Sequence, residues 1–320
     1  MYTRLLLGLI VLAGIHGAAA AQDWPAKQPI RVIVTNTPGS ALDVTARVVF
    51  EQVSRQIGQT IVVENRPGAA NTIGIAAVAK AEPDGYTILV TTSAIAIAPH
   101  THKNLPYDTT RDLRAVIPLG NLTNVMLTPA GRFKSLKDFV AAAKAKPDAL
   151  SYASIGPGST GHLSAERFGL SAGFKALHVP FKGSPEAVSD LAAGRVDFFF
   201  TPVVPAMGLI RDKKVEALVV SSSSRSSLLP DVPTTVQAGY PDSDYNFWIG
   251  VFVPSATPQP IVARLYGETR KALLTTEVKD RLAKLGAEPM DMSREQFEAY
   301  FKKEIEINAK LVKAANISAN

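Results

Sequence analysis

Three observations predict an α/β protein of two domains with mostly parallel sheets flanked by helices. Strand and helix signals alternate from Ile30 onward, which is the pattern of repeated βα units. They fall into two series, with a late strand and a helical tail after the second. The chain has no cysteine, so its 320 residues must be held by apolar cores rather than by disulfides. The expected division is a discontinuous first domain, 22–123 with 242–320, and a second domain, 124–241.

In the first series, Ile30 to Val34 is a short apolar strand. Leu42, Ala46, Val49, Val53 and Ile57 then recur at three- and four-residue spacing, with Asp43, Arg47, Glu51 and Arg55 on the opposite face, so an amphipathic helix follows. Thr60 to Val63 and Tyr86 to Thr91 read as strands, the latter entered through the Pro83-Asp84-Gly85 turn. Leu113 to Leu119 and Leu122 to Leu127 are apolar, β-rich runs. In the second series, Ser135 with Asp138 marks a helix start. Strand Leu150 to Ala153, helix His162 to Ser171 and strand Ala176 to Val179 come next. Ser184 and Pro185 read as the cap and first residue of another helix. Val196 to Phe200 and Val215 to Val220 are strands. After a loose stretch beyond Pro230, strand Phe247 to Val253 leads into two or three helices, expected to pack back on the first domain.

Met1 to Ala21 has the form of a secretory signal peptide: Arg4, an apolar stretch from Leu5 to Ile15, and Ala19-Ala20-Ala21 as the cleavage site. Export is expected, with a mature chain starting at Gln22. That location makes ATP- or NAD-dependent chemistry a poor fit, and the missing cysteines exclude thiolate nucleophiles and Cys-ligated metals. The net charge of +6 is spread out, with no basic stripe interleaved with aromatics, so nucleic acid is not an expected partner.

Two strand-to-helix loops carry the chemistry. Thr35 to Asp43 contains Pro38-Gly39-Ser40, and Ser154 to His162 contains Gly156-Pro157-Gly158-Ser159-Thr160-Gly161. Each places a glycine turn before a helix N-terminus, where unpaired N–H groups and the helix dipole suit an anion such as a carboxylate. Gly156, Gly158 and Gly161 match the dinucleotide spacing G-x-G-x-x-G. However, the following strand ends in Val179-Pro180-Phe181-Lys182, with no acid to hold a ribose. Ser159 and His162 leave an exported serine hydrolase as an alternative, although the first glycine of G-x-S-x-G is missing. His100 and His102 lie near Asp108 without a fourth ligand in view, so no metal and no cofactor are expected. Arg66 reads as an ion-pair partner of Glu64. Phe198 to Phe200 and Trp248 read as core.

Many short stretches resemble one family in order and spacing. They include Trp24-Pro25; Val63-Glu64-Asn65-Arg66-Pro67-Gly68-Ala69; Pro83-Asp84-Gly85-Tyr86-Thr87; Asn104-Leu105-Pro106-Tyr107-Asp108; Tyr152-Ala153-Ser154; His178-Val179-Pro180-Phe181-Lys182-Gly183; Leu229-Pro230-Asp231-Val232-Pro233-Thr234; and Leu285-Gly286-Ala287-Glu288-Pro289. The family is that of the Bug, or tripartite tricarboxylate transporter, solute-binding receptors. The resemblance implies a Venus-flytrap, type II-like periplasmic binding protein that is not an enzyme. Such a protein holds a small carboxylated solute between its domains and passes it, as a monomer, to a membrane permease or to a sensor protein. It places the carboxylate clamp on Pro38, Gly39, Ser40 and Asp43 of one domain and on Ser154, Gly156, Ser159 and Thr160 of the other. Thr92, Ser93, Phe181 and Thr201 are further lining positions. Thr37, Ser40 and Ala41 depart from the family's Pro-Pro-Gly-Gly run, Pro157 removes one N–H, Ala70 and Asn71 stand where glycines are common, and Phe181 stands where tyrosine is frequent. The hinge is expected at Asn121 to Met126 and Pro241 to Phe247.

Overall fold

A computed structural model describes residues 24–68, 71–314 and 317. The signal-peptide segment lies outside the described residues. No helix among the described residues is long and apolar enough to cross a membrane.

Two mixed sheets form the frame. The first has the order β11-β4-β10-β3-β1-β2, built from β1 (Ile30–Val34), β2 (Ile61–Asn65), β3 (Thr87–Thr92), β4 (Leu113–Leu122), β10 (Phe247–Pro254) and β11 (Ala287–Glu288). The second has the order β7-β6-β8-β5-β9, built from β5 (Asn124–Pro129), β6 (Ser151–Ser154), β7 (Leu177–Pro180), β8 (Phe198–Pro202) and β9 (Val215–Val220). The α/β class and the two series are as expected, but the sheets are mixed rather than mostly parallel. The cause is the connection between them. β4 leaves the first sheet at Leu122 and β5 enters the second at Asn124, with Thr123 alone between them. A strand that enters at the crossing edge must run away from it, against the βα strands that run towards it. β5 is therefore antiparallel to β8 and β9, and β10, which enters on the return, is antiparallel to β3 and β4.

Alternation of side chains along the strands fills a core on each face. In the first sheet Val32, Val34, Ile88 and Val90 pack with the Ala46, Val49, Phe50 and Val53 stripe of α1 (Ala41–Ile57). The same core takes in α8 (Gln259–Leu274) and α9 (Thr276–Lys284). Ile33 and Leu89 face the other way, onto α2 (Thr72–Ala79) and α10 (Arg294–Ala314). In the second sheet Phe198 and Phe200 join Phe139 of α4 (Leu136–Ala145) and Phe168 of α5 (Thr160–Ala172). Phe199 points to the opposite core with α6 (Ser184–Ala192) and α7 (Val203–Arg211). Phe198 to Phe200 and Trp248 are core residues, as read. α6 is capped by Gly183, with Ser184 already inside the helix, a correction to its expected role as the cap.

The tail helix α10 lies on the first sheet, where Phe297 and Phe301 meet Trp248 edge-on at 5.4 and 6.0 Å. It also reaches α5. Arg167 and Glu304, both almost fully buried, approach to 3.4 Å, and Arg167 Nε donates to the Asp242 carbonyl at 3.1 Å. Leu311 and Val312 pack with Leu163 of α5 and with Tyr245. The short helix α3 (Ala98–Thr101) is joined to this tail, its His100 Nε2 lying 2.8 Å from the Ile305 carbonyl oxygen.

Removing one member of the buried pair strands the other. Arg167→Met is expected to destabilise the protein by about 3 kcal/mol. The double variant Arg167→Met/Glu304→Leu is expected to lose clearly less. Urea denaturation of both checks this, and equal losses would show that the pair contributes through packing alone.

Candidate functional site

The two glycine loops leave parallel strands at the edges of the sheets where the chain crosses. β1 and β3 end side by side in the first sheet, so the Thr35–Ser40 loop and Thr92–Ser93 share one edge, and Thr35 Oγ1 lies 2.9 Å from Thr91 Oγ1. β6, β7 and β8 end together in the second sheet, which brings the Ser154–Ser159 loop, Phe181 and Thr201 to its corresponding edge.

The two loops share one backbone design. Both read Pro-Gly-Ser-x-x-brace: Pro38-Gly39-Ser40 with Asp43, and Pro157-Gly158-Ser159 with His162. Gly39 and Gly158 are left-handed, with φ +80 and +76, which glycine adopts without strain. The caps Ser40 and Ser159 have φ, ψ of −65, 158 and −66, 158. Their amides donate to Thr37 O and Gly156 O, each at 3.2 Å. Their hydroxyl oxygens accept from Asp43 N at 3.3 Å and His162 N at 3.4 Å. Gly39 N–H donates to Asp43 Oδ2 at 2.8 Å, and Gly158 N–H donates to His162 Nδ1 at 3.0 Å. A methyl group placed on Gly39, Gly156 or Gly158 would meet nothing within 4 Å, so the ground above each loop is open. The helix supplies no acceptor for the amides of Ala41 and Leu42 or of Thr160 and Gly161. Each loop is thus a braced cradle with helix-start N–H groups that the helix leaves unpaired and a capping hydroxyl.

Several expected contact residues lie beneath these cradles rather than on them. Asp43 is buried and receives Gly39 N–H, Arg47 Nε at 3.0 Å and Asn65 Nδ2 at 2.9 Å. Burial opposes its charge, but the bonds from Arg47, Gly39 and Asn65 outweigh this and hold the carboxyl below its usual range. Ser154 is fully buried. Its hydroxyl lies 2.6 Å from His178 Nε2 and accepts from Gly156 N–H at 3.0 Å. Thr92 caps the short helical turn Ser93–Ala96, buried Ser93 lies 3.5 Å from the Tyr245 hydroxyl, and Thr201 is buried in β8 opposite Val125. Phe181 packs against the second core, and its N–H donates to the Ser154 carbonyl. Pro38, Gly39 and Ser40, and Gly156, Ser159 and Thr160, remain the residues with surface at the cradles.

Other motifs take structural parts. Gly161 matches the dinucleotide spacing because a side chain there would sit 2.4 Å from the Phe200 carbonyl oxygen, so glycine lets α5 pack on β8. The His162 ring is turned to Gly158 N–H, and among the described residues no ring nitrogen is hydrogen-bonded to the Ser159 hydroxyl. Arg66 pairs with Glu64 at 2.7 Å. Asn71 takes φ +77, the left-handed conformation that asparagine tolerates better than most residues. The sequence reading missed His178, Asn65 and Arg47 as supports. Arg47 had a local signal, standing one helical turn after Asp43, whereas Asn65 and His178 reach the loops from neighbouring strands and have none.

The chain belongs to the tripartite tricarboxylate transporter receptor family, whose model matches residues 45–317. It is 35% identical to protein BugT of Bordetella pertussis over 310 residues, covering 95% of each chain. Among solved structures it resembles R. palustris Rpa4515 with adipate (30% identity, TM-score 0.73, 92% of this chain and 99% of that one). It also resembles MatC of Rhodopseudomonas palustris with bound malate (30% identity, TM-score 0.70, 90% and 99%). The fold is that of the periplasmic solute-binding receptors, and the Bug resemblance read from the sequence is correct.

Burial, with a smaller contribution from neighbouring His178, lowers the His162 pKa to about 4 from an unfolded value of 6.5. The unfolded chain therefore takes the proton first as pH falls. Stability from the neutral ring is complete above pH 6.5 and is lost as the pH drops towards 4. The stability difference between wild type and His162→Asn is expected to shrink by at most about 3 kcal/mol over that range. Urea denaturation at both ends of the window checks it, and a pH-independent difference would contradict the buried neutral ring.

Proposed function

We propose that this chain is exported to the periplasm, captures a small carboxylated solute between its two lobes, and delivers it to a tripartite tricarboxylate-type membrane permease. The observation that carries the reading is the matched pair of open cradles, one on each sheet, at the edges flanking the crossings. One carboxylate suits both: each cradle offers N–H groups, a helix dipole and a serine hydroxyl. Pro38, Gly39 and Ser40 would meet it from the first lobe (22–123 with 242–320). Gly156, Ser159 and Thr160 would meet it from the second (124–241). Asp43 and Ser154 act from beneath, as supports. Thr92, Ser93, Phe181 and Thr201 back the pocket rather than grip the carboxylate.

A ligand that touches both lobes favours the closed form because only that form presents both cradles together. The solute class is best tested first with aliphatic diacids, since the family neighbours named above carry adipate and malate.

Calorimetry of the chain from Gln22, freed of bound ligand by unfolding and refolding, tests the reading. Malate or adipate is expected to bind and the corresponding diamide to bind at least about tenfold more weakly, since it lacks the charge that the cradles select. Gly39→Val and Gly158→Val are expected to weaken binding while leaving a cooperative melt. Wild-type affinity in both variants would remove the cradles from the site.

A further inference from the structure

We propose that His162 and His178 are positioning residues of the second cradle: as neutral imidazoles they fix Gly158 and Ser154, and they keep negative charge out from under the bound anion. The inference rests on the carboxylate reading above and concerns the same site.

The geometry assigns the protonation state. Gly158 N–H donates to His162 Nδ1, so that nitrogen carries a lone pair and the ring is neutral. His162 stacks on His178 with centroids 4.1 Å apart and planes 11° apart, a separation at which two imidazolium rings would repel. Tyr152 closes the stack at 4.9 Å from His178, and its hydroxyl donates to Glu166 at 2.5 Å. The groups facing the pair are thus Tyr152, Ser154 and the Gly158 amide, with Glu166 behind Tyr152 and Lys175 and Asp148 acting on Glu166.

The contrast with the first cradle explains why an imidazole stands here. There the brace is Asp43, and Arg47, four residues on, neutralises it at 3.0 Å. In α5 the residue four after His162 is Glu166, already engaged by Tyr152. A carboxylate at 162 would be a buried anion without a cation, directly under the N–H groups that receive the ligand. A neutral ring supplies the same acceptor and leaves the α5 dipole uncompensated. Both cradles are thus braced without net negative charge, the first by pairing a carboxylate with Arg47 and the second by a neutral ring.

Malate and adipate affinities of the mature wild type, His162→Asn, His162→Leu and His162→Asp test this, alongside hydrogen exchange of the Gly158 amide without ligand. Asparagine keeps a neutral acceptor and is expected to bind within about threefold of wild type, with Gly158 protected. Leucine removes the acceptor, exposing Gly158 and weakening binding about tenfold. Aspartate keeps an acceptor and adds charge, so it is expected to weaken binding more than asparagine does, and more so at low salt. Wild-type affinity in the leucine variant overturns the brace, and equal affinities for asparagine and aspartate overturn the charge argument. If the wild type binds neither acid, the carboxylate reading itself fails, and Gly158 protection then decides the brace alone.

Discussion

The whole arrangement depends on the chain crossing between its two sheets twice, side by side, at one edge. The outward crossing is Leu122-Thr123-Asn124. The return runs from Ser221 through Tyr245 and Asn246 to Phe247. Backbone bonds join them: Ser221 N–H donates to Asn124 O at 2.8 Å, and Tyr245 N–H donates to Ser221 O at 2.7 Å. Thr123, Asn124, Ser221, Ser222, Tyr245 and Asn246 are all buried there, so their polar groups must find partners within the protein. Asn124 Nδ2 donates to Ser164 Oγ, Thr123 Oγ1 to Ser222 Oγ, and Ser221 Oγ to the Tyr245 carbonyl. These polar crossings fix the directions of β5 and β10. They also set the βα strands running towards the crossing edge, which puts the N-termini of α1 and α5 at that edge. Helix dipoles and spare amides converge there because the crossings leave no other place for the strand ends.

An anion cradle must satisfy two opposed demands. Its first-turn amides have to stay open to the ligand, yet a loop with free amides tends to rearrange to bond them. Both loops meet this with a left-handed glycine, a serine cap and a side-chain acceptor reaching back to the glycine N–H. The acceptor holds the loop from the protein side and leaves the outer face free. That one backbone solution appears with two braces, a paired carboxylate and a stacked imidazole. The backbone geometry therefore sets the shape of the site, and the local charge balance sets the identity of the brace.

Much of this was legible in the sequence because strand alternation and helix periodicity report burial directly. The α1 stripe, the Phe198 to Phe200 alternation and the glycine turns before α1 and α5 all read correctly. What escaped has physical causes. α2 is apolar on every side, so its helical period is invisible. α7 carries Pro205 and Gly208, which break up its helical pattern. Strand direction is a property of the crossings, and no period encodes it. At the site, the family resemblance put Asp43 and Ser154 in the clamp, and a polar residue in a glycine loop reads the same whether it meets a ligand or braces the loop. Their burial and their partners within the protein place them underneath.

α5 carries the argument one step further, since it holds both ends of the functional problem. Its first turn forms the second cradle, and two turns on, Arg167 meets Glu304 of α10, which is packed against the first sheet. Burial raises the Glu304 pKa and Arg167 opposes the rise, so the carboxylate depends on its partner to stay charged. A lobe that rotates while this contact holds must turn about it. α10 also holds the first turn of α5, through Leu311 and Val312 on Leu163, so the cradle and the buried pair are seated on the tail helix together. Under the proposed closure, Arg167–Glu304 and the Leu163 contact would tie the second cradle to α10, so the cradle's place relative to the first sheet would depend on how far the tail helix lets α5 turn.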